Sequence, residues 1–328
     1  MSVLFTKVCI YDDRVNKTIL YGQSNTPINN IIVNTDVSYN IILSDVSPDF
    51  IIILIGKIHS ISQVTLFYKN STSDTYSNII LQFPFEACSL SLNKDTSTIV
   101  STICKDYSYR LEEWIRYNLM LGVSGIIIFN NSGNTKNGLN EPTENCIIKS
   151  SMEEICAKYK DQVMLVDFPY SPLGSNHWNN IQRISLHIGV NAFRHQARYI
   201  ALIDADEFIY FPKAPTMKIN EFMSQYNTTI TMRSNILTNK AANDVIDNNI
   251  LQIAEYVGED KYTKTILDTR KIQENEFINT PHEHPTETRL SKEDIIHYHT
   301  WINKRCPYNS SMPHFTGLRD LYNSYYSI

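Results

Sequence analysis

The chain is poor in glycine, in charged residues and in paired cysteines. Only 10 of its 328 residues are glycine, and 19% are charged against 42% that are hydrophobic. This balance is typical of a chain that buries a core, so a largely disordered protein is excluded. The formal charge of -5 lacks the basic excess of nucleic-acid-binding proteins, and we expect no nucleic-acid partner. The six cysteines form no Cys-x-x-Cys pair, which disfavours a zinc site and favours free buried thiols.

Long apolar runs are missing as well. The longest, Phe50 to Ile55, is far shorter than the roughly 18 to 20 residues of a membrane span, so we expect no transmembrane segment. The start, Met1 to Lys7, lacks the apolar stretch of a signal peptide. These absences predict a cytoplasmic location. The abundance of Ile, Asn, Lys and Tyr is typical of an AT-rich genome, such as that of a parasite, an amoeba or a large DNA virus.

Residues 1–95 and 96–328 follow different patterns. The first segment has short β stretches separated by polar turns and no convincing helix, which predicts a small β-sandwich-like domain with a packing or acceptor-presenting role. Its expected strands include Asn30 to Val33, Tyr39 to Leu43, Phe50 to Leu54, Gln63 to Tyr68 and Asn78 to Phe83. From residue 96 strands alternate with helices, which predicts an α/β domain with a mostly parallel sheet flanked by helices.

Polar residues follow several strands expected in the second segment. These strands are Thr98 to Cys104, Gly125 to Phe129, Gln162 to Phe168 and Tyr199 to Ile203. Between them, Arg110 to Leu121 has its apolar residues on one helical face, and Ser151 opens a capping box with Glu154. Ligands of such sheets bind outside the carboxyl ends of the strands. That rule selects Lys105 to Tyr107, Asn130 to Ser132 and Asp204 to Glu207.

The strongest chemical signal is the pair Asp204 and Asp206. In an extended chain both side chains project to one side, while Ala205 points to the other. Adjacent carboxylates repel unless they share a cation, and oxygen ligands suit Mg²⁺ or Mn²⁺. Such an ion can bridge nucleotide phosphates and neutralise the charge that develops on the leaving group of a glycosyl transfer. Asp-x-Asp alone is common in solvated turns, but the apolar run Ile200 to Ile203 before it favours a site.

Two longer stretches carry a family resemblance. The first is Leu111-Glu112-Glu113-Trp114-Ile115-Arg116-Tyr117-Asn118, with Leu121-Gly122-Val123 and Ile127 to Ser132 behind it. The second is Ile203-Asp204-Ala205-Asp206-Glu207-Phe208-Ile209. Together they resemble the opening signature and the metal motif of glycosyltransferase family 92 and its neighbours with the GT-A (Rossmann-like) fold. Lys264-Thr265-Ile266, His282 and Ile296-His297-Tyr298 follow in the order of that family's later segments, so the resemblance covers about Ser101 to Tyr298.

The resemblance implies an enzyme that moves a hexose from a UDP-sugar to a glycan or glycoprotein acceptor, with Mn²⁺ or Mg²⁺ and with inversion. By their positions in the motifs, the expected donor-binding residues are Lys105, Asp106, Tyr107, Glu112, Asn130, Ser132, Gln182 and Lys264. Arg270 and Lys271 are alternatives to Lys264 as the cation that faces the diphosphate. The expected metal ligands are Asp204, Asp206 and a late histidine, with His297 preferred to His282. Structural roles remain open: Glu112 suits a helix N-terminus, and Asn130 with Ser132 suits a turn.

An inverting transfer needs a carboxylate base near the acceptor hydroxyl. Asp244, Asp247, Glu255 and Glu283 lie beyond the metal motif, and we take Glu283 and Asp244 as the predicted catalytic residues. Two other functions stay open. One is an inactive descendant that only binds nucleotide-sugar or glycan. The other is a metallohydrolase that combines the late histidine pairs with Asp204 or Asp206; it ranks last, because no strand register is expected to link those histidines to the acidic pair.

Overall fold

The structure is a computed structural model, and its description covers most of the chain. The described residues are 4–12, 17–24, 28–34, 38–43, 49–55, 63–70, 76–82, 90–105, 107–132, 151–168, 178–240, 250–273, 276, 278–300 and 307–326. For the strands before residue 90, the description concerns the backbone. In the described part, no helix is long and apolar enough to cross a membrane.

Seven strands precede residue 83 and form two antiparallel sheets. They are β1 (Leu4–Asp12), β2 (Lys17–Ser24), β3 (Ile28–Asn34), β4 (Ser38–Leu43), β5 (Asp49–Ile55), β6 (Gln63–Asn70) and β7 (Tyr76–Gln82). One sheet has the order β1-β2-β5-β4 and the other the order β3-β6-β7, with every pairing antiparallel. The predicted strands of this segment are therefore confirmed, and the described residues before 108 contain no helix. The domain limit at residue 95 stays a prediction.

The remaining strands form one nine-stranded sheet. They are β8 (Thr98–Cys104), β9 (Gly125–Asn130), β10 (Val163–Asp167), β11 (Tyr199–Leu202), β12 (Glu207–Tyr210), β13 (Thr229–Thr238), β14 (Tyr256–Asp268), β15 (Glu287–Arg289) and β16 (Ile296–His299). The helices are α1 (Ser108–Met120), α2 (Met152–Ala157), α3 (Trp178–Phe193), α4 (Ile219–Ser224), α5 (Ile250–Ile253) and α6 (Gly317–Tyr326), with a 3₁₀ turn at Thr269–Lys271.

One half of this sheet is parallel, as predicted. Strands β10, β9, β8 and β11 are neighbours in that order and are all parallel. Numbered along the chain, the four strands lie in the order third, second, first, fourth. The order therefore reverses between β8 and β11, and a crevice opens at the carboxyl ends of strands at such a point.

The other half is mixed, which corrects the expectation of a mostly parallel sheet. Strand β14 is antiparallel to β11 and to β13, β16 is parallel to β13, and β12 is antiparallel to β16. Antiparallel neighbours need no crossover helix. In the described residues after Tyr210, helices α4, α5 and α6 span only 4 to 10 residues. The sheet combines parallel and antiparallel pairs, so the protein is α/β with a mixed sheet.

Apolar side chains cover both faces of the sheet. Along β8, Val100 contributes to the hydrophobic cluster beneath α1, whereas Ile99 and Ile103 contribute to the cluster beneath α3. This alternation follows from the two-residue period of a strand. Cys156 is a buried free thiol, as expected, and Cys104 is buried as well.

Helix α1 is tied to the backbone of β12. The Trp114 indole Nε1 donates to the Glu207 carbonyl oxygen at 2.9 Å, and the Tyr117 hydroxyl donates to the Ile209 carbonyl oxygen at 2.7 Å. The helix ends at the predicted Gly122, which has a φ of 89°. The N–H groups of Gly122 and Val123 donate to Leu119 and Asn118, the paired bonds of a Schellman cap. This cap turns the chain directly into β9.

Candidate functional site

The candidate site lies where β8 and β11 end side by side. Lys105 follows β8, and Asp204 follows β11 with one residue between. Lys105 is only 4% exposed, although it carries a charge. Charged side chains are seldom this buried, and the positive charge of Lys105 makes the carboxyl end of β8 suited to an anionic ligand.

Asp204 and Asp206 belong to a turn rather than to the strand. Strand β11 ends at Leu202, and the Glu207 N–H donates to the Asp204 carbonyl oxygen at 3.0 Å. The expectation of an extended Asp-x-Asp segment is therefore wrong, and Ala205 between the acids is buried. Because of this turn the two carboxylates have separate sets of neighbours.

Asp204 is held by a cation and an amide. The Lys264 ammonium lies 2.5 Å from its Oδ2 atom, and the Gln182 side-chain amide donates to its Oδ1 atom at 2.9 Å. Lys264 and Gln182, predicted from the family resemblance, thus lie at the acidic pair. Burial lowers the pKa of Lys264, but Asp204 and Glu207 raise it by more, so its pKa is above the usual value and the side chain carries its charge.

Glu207 is a third carboxylate of this cluster. Its Oε2 atom accepts the Asp204 N–H at 2.9 Å and lies 3.2 Å from the Lys264 ammonium. Burial, together with the charge of Asp204, raises the pKa of Glu207 to about 7, although Lys264 opposes this shift. Sequence reasoning placed Glu207 at the strand end but did not assign it to the site. The available signal was its position as the first residue of an otherwise apolar strand.

Asp206 pairs with His299. The His299 Nε2 atom lies 3.1 Å from Asp206 Oδ2, because β16 places His299 opposite Glu207 in β12. Burial raises the pKa of Asp206, but His299 and Lys264 outweigh it and lower the value to about 2. Burial likewise lowers the pKa of His299, but Asp206 outweighs it and raises the value to about 9. The expectation that no register links the late histidines to the acidic pair is therefore wrong.

The two histidines named from the sequence occupy other positions. His297 is fully buried with Nδ1 3.6 Å from Glu207 Oε1, and neither ring nitrogen has a hydrogen bond to another described residue. Burial, reinforced by Lys264, lowers its pKa well below the usual value. His282 is half-buried and its Nδ1 atom lies 2.5 Å from the Thr263 carbonyl oxygen. His299 is therefore the histidine in contact with the acidic pair, and the sequence did not single it out from His297.

Tyr107 and Arg110 add a polar group near Asp206. Tyr107, at the start of α1, is buried, and the positive charge of the Arg110 guanidinium acts on its hydroxyl. Burial raises the pKa of Tyr107 well above its usual value, and the negative charge of Asp206 raises it further. The guanidinium of Arg110 interacts electrostatically with Tyr107 and Asp206. Its Nε atom is buried and makes no hydrogen bond to the described residues. Sequence reasoning missed Arg110, although a cation in the first turn of α1 was visible.

Two predicted donor-binding residues at the end of β9 make contacts with α2. The Asn130 amide donates to Glu153 at 2.9 Å, and Asn130 Oδ1 accepts the Ser132 N–H at 3.0 Å. The Ser132 hydroxyl lies 3.6 Å from the Met152 sulfur. Asn130 and Ser132 therefore form a turn, the structural alternative named from the sequence. Because β9 lies next to β8, both residues also stand at the same edge of the sheet as Lys105.

Other predicted residues have partners outside the cluster or fall outside the described residues. Glu112 joins α1 to α2 through Lys158 at 2.8 Å, on the protein surface. Glu283 is 69% exposed and lies 3.9 Å from Arg289. Arg270 pairs with Asp268. Asp106, Asp244 and Asp247 fall outside the described residues.

The types of donor atom at the acidic pair suit a divalent cation. Asp204 and Asp206 offer carboxylate oxygens, which suit Mn²⁺ and Mg²⁺, and His299 offers an imidazole nitrogen once it has lost its proton. No group of three or more His, Cys, Asp or Glu side chains in the described part of the chain is arranged to hold a metal ion. Lys264 and Gln182 contact Asp204, and His299 contacts Asp206.

No protein-family model matches the chain, and no curated protein is significantly similar to it.

Proposed function

We propose that this chain is a metal-dependent glycosyltransferase of the GT-A type, similar to family 92. It transfers a hexose from a UDP-sugar to a glycan or glycoprotein acceptor, with inversion, and it acts in the cytoplasm. The observation that carries the proposal is the position of Asp204 and Asp206. They stand at the reversal of strand order, with His299 against Asp206 and the buried Lys105 at the end of the adjacent strand.

The anionic end of the donor has matching cations at this edge. Lys105 and Arg110 flank Tyr107, and the burial of Lys105 strengthens its attraction for a diphosphate because water screens it little. Asn130 and Ser132, at the end of the neighbouring strand β9, are in place for the nucleoside. Their amide and hydroxyl groups supply hydrogen bonds of the kind that uracil and ribose require.

Asp204, Asp206 and His299 would hold the divalent cation. When bound, such an ion neutralises charge on the departing diphosphate. Lys264 supplies a further fixed positive charge beside it, without reorganisation at the moment of reaction. Glu283, exposed and next to His282, remains the proposed base for the acceptor hydroxyl, together with Asp244.

The proposal is tested by UDP release from a panel of UDP-sugars with Mn²⁺, with and without glycan acceptors. We expect Mn²⁺-dependent transfer from one donor, and its loss in the double variant Asp204→Asn, Asp206→Asn. Asp161→Asn is the matched control, since Asp161 is exposed in the turn after α2. Undiminished turnover in the double variant would defeat the assignment.

The contact between His299 and Asp206 also supports a metallohydrolase as a second candidate. It brings a late histidine to the acidic pair, as that function requires. The same assay separates the candidates, because a hydrolase releases UDP and free sugar without glycosylating any acceptor. Calorimetric binding of UDP with Mn²⁺, without UDP-sugar turnover, identifies a binding module instead.

A further inference from the structure

We infer that His282 is a further catalytic residue of the proposed transfer and that its Nε2 atom takes the proton of the acceptor hydroxyl. The inference rests on the proposed function and concerns the role of the base, for which the sequence offers Glu283 and Asp244. Glu283, the next residue in the chain, is the alternative that the experiment excludes or supports.

His282 is fixed to β14 beside the acidic turn. Strand β11 ends opposite Thr265, and Thr263 lies beyond that end. The Thr263 hydroxyl donates to the His282 carbonyl oxygen at 2.6 Å, and the His282 Nδ1 atom lies 2.5 Å from the Thr263 carbonyl oxygen. Thr263 directly precedes Lys264, whose ammonium contacts Asp204. Two hydrogen bonds therefore tie His282 to the strand that carries the partner of Asp204.

The hydrogen bond at Nδ1 decides which ring nitrogen of His282 is basic. A carbonyl oxygen can only accept, so the Nδ1 atom beside the Thr263 carbonyl must carry the proton. A neutral imidazole has a single N–H group, and its other nitrogen then carries a lone pair. The Nε2 atom of His282 is therefore the basic nitrogen, in a ring whose orientation is set by the backbone of β14.

The groups around His282 keep its ring neutral and ready to accept a proton. Burial lowers the pKa of His282 from its usual value of 6.5, and the charge of Lys264 lowers it further. The Thr263 carbonyl and the carboxylates of Asp204 and Glu283 oppose this shift without cancelling it. The imidazole is thus neutral at neutral pH. Once it takes a proton, the two carboxylates stabilise the imidazolium that forms.

The surface beside His282 carries an exposed aromatic ring. Tyr262 is 41% exposed, and its ring centroid lies 5.8 Å from that of His282, which is itself only half-buried. Binding sites combine such aromatic surface with a few fixed polar groups, so this edge of β14 suits an acceptor sugar. Glu283, in contrast, is 69% exposed and lies 3.9 Å from Arg289.

The proton transfer balances without a further reactant. The acceptor hydroxyl gives its proton to Nε2 of His282 while its oxygen forms a bond to the anomeric carbon of the hexose. The bond from that carbon to the diphosphate breaks, and UDP leaves with the electron pair. The imidazolium then returns its proton to water.

The variant that tests the inference is His282→Asn, whose side-chain amide keeps a donor for the Thr263 carbonyl but has no basic nitrogen. We expect transfer to the acceptor to fall about a hundredfold or more, with the affinity for UDP unchanged. In the natural chain kcat/KM should rise with pH as His282 loses its proton, and this rise should be absent from His282→Asn.

Two further variants are compared with it. His314→Asn is the matched control, because it makes the same change at an exposed histidine, and it should leave transfer unchanged. Glu283→Gln should lower transfer by less than about tenfold, since the proton goes to its neighbour.

Transfer that survives in His282→Asn, or that falls further in Glu283→Gln, overturns the inference and leaves the proposed function standing. A natural chain that transfers no sugar from any donor overturns both. Where His282→Asn fails to fold, as checked by circular dichroism, the ring of the natural chain decides. Long-range ¹H–¹⁵N NMR at alkaline pH should show the proton of His282 on Nδ1, and a proton on Nε2 would exclude it as the base.

Discussion

The two halves of the large sheet bury different kinds of side chain. In the parallel half, β8, β9 and β11 contain no charged residue, and β9 and β11 are buried along their whole length. The mixed half buries Glu207, Lys264, His297 and His299. The parallel half supplies a rigid apolar support that ends in an acidic turn, and the mixed half supplies the cations that face it. The candidate site therefore depends on the junction between the halves, where β11 meets β14.

The sharpest way to break this comparison is to remove charge at the junction. For Asp206→Asn we expect UDP-sugar turnover to fall about a thousandfold or more, because the cation loses a carboxylate and His299 loses its partner. Steady-state UDP release measures the loss, with Asp161→Asn as control. A loss of less than about tenfold would mean that Asp206 does not contribute to the reaction.

A second prediction compares two histidines of the mixed half. We expect His299→Gln to lower the affinity for Mn²⁺ with UDP by about 10- to 100-fold, since His299 contacts the acidic pair. His297→Gln should have a smaller effect on that affinity, because His297 lies beside Glu207. Calorimetric titration of both variants is the measurement. A larger loss of Mn²⁺ affinity in His297→Gln would support His297 as the metal ligand, as predicted from the sequence.

A third prediction concerns Glu113 on α1, a buried acid outside the junction. Burial raises its pKa to about 8 from 4.5, although the N–H groups of Leu251 and Ile250 point at it. A raised pKa in the folded state gives stability that is present below about pH 4.5 and is lost as pH rises through about 8. In Glu113→Gln this loss should vanish. The difference in unfolding free energy between the two proteins should change by roughly 1–3 kcal/mol from pH 5 to pH 8.

Urea unfolding of both proteins at the two pH values provides these free energies. Parallel pH profiles for the natural chain and Glu113→Gln would show that Glu113 titrates as it does in the unfolded chain.

The smallest expected effect is that of Glu112, which lies on the surface between α1 and α2. Glu112→Gln should lower the free energy of unfolding by about 0.5 kcal/mol or less, as for other exposed ion pairs. It should leave the affinity for UDP with Mn²⁺ unchanged. A loss of UDP affinity greater than about tenfold would support the donor-binding role that the family resemblance implies.

The parallel half was predictable because its signals are local. Strands β8, β9 and β11 appear as apolar runs, and Gly122 after α1 and the capping box of α2 mark helix ends between them. The loops at the strand ends and the position of Asp204 therefore follow from short-range pattern. The mixed half depends on pairing between distant segments. Whether His297 or His299 contacts Asp206 depends on the register of β16 against β12, and a shift of two residues would exchange them. Glu207 was missed for a related reason, since its partner Lys264 lies on the distant strand β14.

The bond from the Trp114 indole to the Glu207 carbonyl gives the protein an optical sensor. Trp114 is one of only three tryptophans in the chain, and its ring is fully buried against the backbone that carries the acidic turn. Any ligand that shifts this turn stretches or breaks that bond and changes the surroundings of the indole. Ligand-induced changes at the turn can therefore be followed through tryptophan emission, without a dye or a label.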